Sequence, residues 1–394
     1  MTPQSEIKTT STICKSANSK YTGRIIHGDN LFALSSLLRD KSVSGKIDLV
    51  YIDPPYATQR VFRSKSIWYQ DHVELAHDSH AYEDVLSGGE YLEFLRERLI
   101  LIRELMSAKG TIYLHLDEKM AFPAKIIMDE VFGESNFRNW ITRRKCSSKN
   151  YTNKQFGNIT DYIICYSKTN TPIWNRPFKK WDESHAIKEY PKIDKSTGRR
   201  YKLVPIYAQG VRNGETGEAW RGVMPPQGKH WFTSPDNLDK LDKEGMIYWS
   251  PSGNPRKKVY LDDSQGLAYT DLWMDFRDAH NQYVSVTGYP TEKNLDMLKM
   301  IIEASSNEGS LVMDCFAGSG TTLHAATQLN RSWIGIDSSP LSIDVCTKRI
   351  KDLTGADNEL FGKTNYTIHI QQSTVQTNEF KDREATALSP GVPA

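Results

Sequence analysis

The chain has 394 residues, with 50 Lys+Arg against 48 Asp+Glu and a formal net charge of +2. A composition of 38% hydrophobic and 25% charged residues is that of a folded globular protein and excludes a disordered or fibrous one. Five cysteines (Cys14, Cys146, Cys165, Cys315 and Cys346), odd in number and without metal-ligand spacing, exclude a disulfide framework and a zinc ribbon.

In chain order, residues 1–20 are polar and lack the apolar core of a secretion signal. No run of eighteen apolar residues occurs anywhere, so a cytoplasmic protein without membrane contact is expected. Arg24 to Leu38 reads as a strand, a Gly-Asp turn and a helix, and Ile47–Ile52 as a buried parallel strand ending at Asp53-Pro54-Pro55-Tyr56. Two prolines cannot continue the ladder, so the polar groups around them sit at the strand's carboxyl end.

Ala57 to Gly89 carries His72, His77 and His80 without clear periodicity and predicts a long loop closing over a ligand; no metal is expected there. Tyr91–Met106 and Ala124–Phe132 have helical spacing, and Gly110–Leu116 and Thr160–Tyr166 read as strands. After Ser167 the alternation stops until about Asp275. It resumes with helices over Asn294–Ala304, Thr321–Leu329 and Ser342–Leu353 and strands over Leu311–Cys315 and Trp333–Asp337. Strands alternating with helices predict an α/β fold with a mostly parallel sheet. Gln371 to Ala394 is polar and predicts a frayed tail.

The neutral total charge hides a division. Residues 138–260 hold 24 Lys+Arg and 11 Asp+Glu, a net of +13, while the remainder carries −11. Six of the nine tryptophans fall in the same segment, and a basic, aromatic stretch of this kind points to nucleic acid. Arg143-Arg144-Lys145 and Arg256-Lys257-Lys258 are candidate phosphate contacts, or else a solvated face. Tryptophans 174, 181, 220, 231 and 249 are expected mostly to build a small core.

Three motifs carry chemistry. The apolar Leu311–Asp314 runs into Cys315-Phe316-Ala317-Gly318-Ser319-Gly320-Thr321, a glycine loop opening a helix. It lacks the third glycine of a dinucleotide fingerprint and the Gly-Lys-Ser/Thr of a phosphate loop, so a nucleoside-bearing ligand without a diphosphate fits better. Asp337 closes the next strand 17 positions after Gly320, where a carboxylate can accept both hydrogen bonds of a ribose diol.

The sharpest motif is Asp53-Pro54-Pro55-Tyr56. The lone pair of an exocyclic amine on adenine is conjugated into the ring, which makes the amine a poor nucleophile. A carboxylate and a backbone carbonyl that accept its two N–H bonds draw the nitrogen toward tetrahedral geometry and free that lone pair. Prolines fix such acceptors, and Tyr56 can stack on a base flipped out of its duplex.

At this point the sequence resembles the DNA amino-methyltransferases of the β class, which use S-adenosylmethionine. Their catalytic tetrapeptide is Asp/Asn/Ser-Pro-Pro-Tyr and their cofactor loop Phe-x-Gly-x-Gly, and here Asp53–Tyr56 precedes Phe316–Gly320 with the basic segment between. Gly28-Asp29-Asn30 is similar to the family's Gly-Asp turn, and Tyr289-Pro290-Thr291-Glu292-Lys293 to its Thr-Gln-Lys-Pro segment, with Glu292 and Asn294 as departures. Trp220 to Asp275 looks like solitary and type III modification methyltransferases.

The resemblance implies a Rossmann-like, seven-stranded, circularly permuted methyltransferase sheet with an inserted DNA-recognition region. The catalytic half would span 20–166, the recognition region 167–285, the cofactor half 286–370 and the tail 371–394. Asp53, Pro54, Pro55 and Tyr56 would be catalytic. Asp29, Thr291, Lys293, Asp314, Phe316, Gly318, Ser319, Gly320, Thr321 and Asp337 would hold S-adenosylmethionine, with Asp29 at the adenine amine and Asp314 near the cofactor's amino group. Asp in the tetrapeptide favours adenine N6 as target, with cytosine N4 as the alternative and a non-catalytic DNA-binding subunit as a third reading. The implied partner is double-stranded DNA at the nucleoid; relatives also pair as homodimers and accompany restriction endonucleases. No Walker-type loop occurs, so a modification enzyme is expected, and the generally greater length of type III subunits favours a stand-alone one.

Overall fold

The computed structural model describes residues 5–14, 19–55, 61–70, 73–83, 88–147, 154–278, 292–354 and 366–375. It divides into two compact units, Met1–Pro177 with Thr270–Ala394, and Phe178–Tyr269. In the first unit, β1 (Ser5–Cys14) precedes β2 (Tyr21–His27), α1 (Asn30–Leu37) and β3 (Ile47–Ile52). Next come β4 (Val61–Gln70), β5 (Val73–Glu83), α2 (Gly88–Leu105) and β6 (Met106–Leu116). α3 (Ala121–Phe132), β7 (Phe137–Arg144) and β8 (Thr160–Ser167) complete this part.

The second unit begins with β9 (Phe178–Lys179), α4 (Glu183–Glu189), β10 (Lys192–Ile193), β11 (Arg200–Pro205) and β12 (Tyr207–Gln209). It ends with β13 (Lys229–Trp231), α5 (Pro235–Lys243), β14 (Ile247–Trp249), β15 (Pro255–Tyr260) and β16 (Leu267–Ala268). The chain then returns to the first unit with β17 (Leu272–Trp273), α6 (Leu295–Ser305), β18 (Leu311–Asp314) and α7 (Thr321–Gln328). β19 (Ser332–Asp337), α8 (Pro340–Thr354) and β20 (Tyr366–Val375) follow.

Among the described residues the first unit carries a ten-stranded sheet in the order β1-β20-β2-β19-β18-β3-β6-β8-β7-β17. From β20 to β6 every neighbouring pair is parallel. The branched, apolar β3 is buried at five of its six positions, as a strand covered on both faces must be. α1, α2 and α3 pack in one series and α6, α7 and α8 in another. Ile26, Leu34, Val50, Leu99, Ile112, Leu114, Met313 and Ile336 belong to one core cluster that joins strands from both ends of the chain.

The structure departs from expectation at four places. Seven strands were expected; β20 and β1 extend one edge and β17 the other. β20 enters the expected tail because the alternation of Tyr366, Ile368 and Ile370 continues into polar residues that pair with β1, from Ser5 opposite Val375 to Cys14 opposite Ile368. The expected loop at 57–89 contains an antiparallel hairpin of β4 and β5, in keeping with the strand preference of Val61, Phe62, Ile67, Trp68 and Tyr69. β7 lies in what reads as a basic run, with Ile141 and Arg143 alternating inward.

The second unit holds a four-stranded sheet, β10-β11-β15-β14, and small two-stranded sheets. Its core comprises Ile206, Trp220, Trp231, Leu238 and Ile247, with Trp249 packed against it. The indole N–H groups of Trp220, Trp231 and Trp249 donate to Asp239, the Glu218 carbonyl and Asp242 at 3.0, 2.8 and 2.9 Å. Trp220 and Trp231 are core residues, as expected, with the half-buried Trp249 against them, whereas Trp174 is exposed on the first unit. Among the described residues no helix is long and apolar enough to cross a membrane.

Candidate active site

The parallel register delivers several acidic strand ends to one edge of the sheet. His27 pairs with Asp337, Asp314 with Gly335, Met313 with Val50 and Ile52 with Leu114. Asp29, Asp337, Asp314, Asp53 and His115 therefore stand at or just beyond the carboxyl ends of adjacent strands. From β18 the chain moves to β19 on one side, and from β3 to β6 on the other, so the order reverses between β18 and β3. Ligands of open α/β sheets bind outside the carboxyl ends at such a reversal.

The glycine loop is built for close approach. Gly318 and Gly320 have φ of +49° and +71°, the left-handed region. A Cβ on Gly320 would lie 2.8 Å from the sulfur of Cys346 on α8. The carbonyl of Gly318 accepts from Ser342 at 2.7 Å, and the Ser319 and Thr321 hydroxyls lie 2.9 Å apart at the start of α7. Arg349 donates to the Ser319 carbonyl (3.0 Å) and to Thr321 (3.2 Å), and pairs with Glu292 at 2.9 Å. The departure from the family's Gln at 292 is thus absorbed by an arginine that ties the loop to the segment before α6.

Two carboxylates line this loop. Asp314 is buried and accepts from the Phe316 N–H at 3.0 Å and from the Thr322 hydroxyl at 2.6 Å. Burial pushes its carboxyl up to about 7; those two hydrogen bonds oppose the shift, and the charges of Asp53 and Asp337 add to it. Asp337 accepts from Gly318 N–H at 2.8 Å and from Ser339 N–H at 2.9 Å, one on each oxygen. Burial raises its carboxyl too, against those bonds. A carboxylate at this strand end, beside the glycine loop, is where a diol can be received.

Asp29 caps α1, accepting from Leu31 N–H at 2.7 Å, and its carboxylate also receives Arg98 at 3.3 Å. Arg98 is buried on α2, stacks on Phe94 and donates to the Asn30 side chain at 2.5 Å. Asn30 in turn donates to the Cys315 carbonyl at 2.8 Å, and the Phe94 ring stands 6.1 Å from that of Phe316. The Gly-Asp turn and the glycine loop are therefore joined through Arg98 and Asn30.

Asp53 leaves β3 with its carboxylate mostly covered, beside a buried Pro54. Lys293, expected at the cofactor, places its ammonium on Asp53, within ion-pair distance of Oδ2. On the other side His115 Nδ1 lies 4.0 Å from Asp53 Oδ1. Tyr56 and Thr291, expected as base-stacking and cofactor residues, lie outside the described residues.

The basic candidates separate by burial. Arg143, expected as a phosphate contact, is 1% exposed and makes a bidentate pair with Asp161 at 2.8 and 2.6 Å. Its place on the inward face of β7 removes it from any DNA surface. Arg144 donates to the Cys146 carbonyl at 3.2 Å, and both it and Lys145 are half-buried. In the second unit Arg256 is exposed and Lys257 half-buried over the Phe232 ring. Lys258 is held by the buried Asp194 at 2.7 Å, which takes it out of the free basic surface.

Sequence reasoning missed Asn30, Arg98, His115, Asp161 and Arg349. A histidine inside the apolar run Tyr113-Leu114-His115-Leu116 was the one signal available. The others are polar residues whose partners lie far away in sequence.

The fold and this edge define an α/β protein whose glycine loop and acidic strand ends suit a nucleoside-bearing ligand beside a proline-fixed carboxylate. A DNA methylase family profile matches residues 47–348, and the chain belongs to that family. It is 53% identical over 325 residues to the type II methyltransferase M.EcaI of Enterobacter cloacae, covering 82% of this chain and 68% of that one. It is 28% identical over 357 residues to the type II methyltransferase M.KpnI of Klebsiella pneumoniae, covering 82% and 80%. The StyLTI Mod subunit, a type III restriction-modification enzyme component of Salmonella typhimurium, is 26% identical over 353 residues. That match covers 81% of this chain, which spans about half (51%) of the subunit's length. The crystal structure of an M1.HpyAVI–SAM complex aligns with a TM-score of 0.45 and 14% identity, over 83% of this chain and 98% of that one.

Proposed function

We propose that the chain is an S-adenosylmethionine-dependent DNA methyltransferase acting on the N6 amine of adenine in a short duplex sequence. The observation that carries this reading is the position of Asp53 and Pro54 at the carboxyl end of β3, next to the strand whose glycine loop follows Asp314. The donor set fits the cofactor: positive-φ glycines open a close approach, Asp314 offers a buried carboxylate to an amino group, and Asp337 offers two oxygens to a ribose. Asp29 is the candidate for the cofactor's adenine amine, with Phe316, Ser319 and Thr321 lining the loop.

S-adenosylmethionine, when bound, supplies an electrophilic methyl group. The chain's own part is positioning. The Asp53 carboxylate and Pro54 carbonyl accept the two N–H bonds of the target amine, which holds the nitrogen lone pair for direct displacement. Tyr56 stacks on the flipped base. Asp rather than Ser in the tetrapeptide supports adenine. The region 167–285, whose compact part is Phe178–Tyr269, is assigned to DNA recognition on its positive charge.

The test is transfer of a labelled methyl group from S-adenosylmethionine to unmodified genomic DNA, followed by nucleoside analysis. N6-methyladenine is expected. Label in N4-methylcytosine overturns the adenine assignment, and no transfer to any DNA overturns the reading as a whole.

A further inference from the structure

Behind Asp53 stands a chain of buried polar groups that the reaction outlined above leaves without a role. His115 has no exposed side-chain surface. It follows Leu114, which faces Ile52 across the β3–β6 ladder, and Asp53 is the residue that follows Ile52 as the chain leaves β3. Its Nδ1 is 2.7 Å from the Tyr51 hydroxyl and 4.0 Å from Asp53 Oδ1. Its Nε2 is 2.9 Å from Asp161 Oδ2. Asp161 in turn is gripped bidentately by Arg143, which also reaches Asp278 at 2.7 Å and the Phe276 carbonyl at 3.2 Å.

The polarity of this chain can be read off. Burial opposes ionisation of Asp161, but His115 and Arg143 overcome it and hold the carboxyl well below the usual range. Nε2 faces that ionised carboxylate at contact distance without an aligned hydrogen bond, so the directed bond to the ring is the one from Tyr51. Burial keeps the Tyr51 hydroxyl protonated, with the nearby Asp53 charge adding to the effect. Tyr51 lies two residues before Asp53, and His115 Nδ1 is near both the Tyr51 hydroxyl and the Asp53 carboxylate. A bond from Tyr51 to the imidazole therefore fixes the strand end that carries Asp53, and the imidazole ring packs beside the carboxylate itself.

Burying a carboxylate and an arginine beside an imidazole carries a desolvation cost of several kcal/mol per ion, which an equally large apolar filling avoids. Such an arrangement stabilises the fold less than it orients a group. Reacting atoms must be placed to within a fraction of an ångström, and a 1 Å error costs about a hundredfold in rate.

We propose that His115 is a positioning residue for methyl transfer: braced by Asp161 and Arg143, it sets Asp53 for the target amine through Tyr51 and direct packing. The proposal rests on the role assigned to Asp53. It separates the two sides of the site, because β18 and β19 carry the cofactor loop while His115 lies on β6, beyond β3.

The test uses the full chain, tritiated S-adenosylmethionine and unmodified genomic DNA. Rates of transfer are read at saturating cofactor, with KM for the cofactor and thermal unfolding measured alongside. Tyr51→Phe removes one hydroxyl and is expected to lower kcat about tenfold. His115→Leu is expected to lower it about a hundredfold. His115→Gln keeps a polar group that can accept from Tyr51 and should recover part of that loss. In all three, KM for the cofactor should stay within about twofold, the signature of an interaction made only in the transition state.

Unchanged kcat in Tyr51→Phe and His115→Gln, or a loss that follows KM and unfolding temperature, overturns the proposal. Asp53→Ala distinguishes the two readings. If it abolishes transfer while the His115 variants do not, only the positioning role falls; if it leaves transfer intact, the role of Asp53 falls with it.

Discussion

Lys293 and Asp53 form an ion pair, so the segment before α6 and the end of β3 meet at the carboxylate proposed to hold the target amine. From sequence they belong to different tasks, one at the cofactor and one at the target base. The pairing neutralises a carboxylate that is mostly withdrawn from water, which would otherwise have a high cost. Lys293→Met is expected to lower kcat about tenfold, with Lys293→Arg retaining more activity than Met. Steady-state transfer to unmodified DNA checks this, and equal rates in all three proteins would remove Lys293 from the site.

The proton on Asp314 gives a pH prediction. Its carboxyl, pushed up from 3.8 to about 7 chiefly by burial, holds its proton in the folded chain where the unfolded chain has released it. Stability from this group is therefore full below about 3.8 and falls away as the pH rises to about 7. A cationic amino group binding beside Asp314 favours its ionised form, so cofactor binding should release a proton near pH 6 and tighten up to about pH 7. Calorimetric titration in buffers of different ionisation enthalpy measures that proton. Asp314→Asn should abolish the release and flatten the pH dependence of unfolding.

Gly320→Ala tests the loop. Its φ of +71° costs a non-glycine residue about 1–2 kcal/mol, and the added Cβ would meet the Cys346 sulfur at 2.8 Å. Gly45 has the same φ of +71° with nothing within 4 Å, so Gly45→Ala should show the conformational cost alone. Unfolding temperature should fall further in Gly320→Ala than in Gly45→Ala. Adding Cys346→Ala to Gly320→Ala should return part of the difference; no return would place the strain elsewhere.

Arg143 and Arg256 should behave in opposite ways. Arg256 is exposed, and Arg256→Ala is expected to leave unfolding unchanged while reducing the salt slope of DNA binding by about 0.9. Arg143 is buried against Asp161 and Asp278, and Arg143→Met should cost about 3–5 kcal/mol in stability. Filter binding of duplex DNA at several salt concentrations, with thermal melts, reads both. A salt slope unchanged in Arg256→Ala would remove that residue from the phosphate contacts.

Much of the sheet could be read from the sequence because buried parallel strands are continuous apolar runs: Ile47–Ile52 occupies the span its pattern indicates. The glycine loop and the acidic ends of β18 and β19 follow directly from their motifs, since backbone turns and strand ends are local properties. Arg143 was misread for the converse reason. A charge run reads as surface in one dimension, and only the Asp161 partner across the β7–β8 ladder turns it inward. β1 and β20 were missed together, because the polar edge strand β1 pairs with β20, more than 350 residues away, and β20 in turn lies against β2. Lys293 had a signal but no direction: its motif placed it near the site without specifying which carboxylate it would meet.

The sheet order has a consequence for how this protein can be divided. β18 and β19, from the carboxyl-terminal part of the chain, lie between β2 and β3 from the amino-terminal part. Neither part can complete the sheet alone, since each would leave unpaired edges where the other should insert. Cutting the chain within Phe178–Tyr269 would produce two fragments that are separately incompetent and regain a continuous sheet only by associating. That makes the basic unit a natural seam for a split enzyme, whose activity reports that two pieces have met.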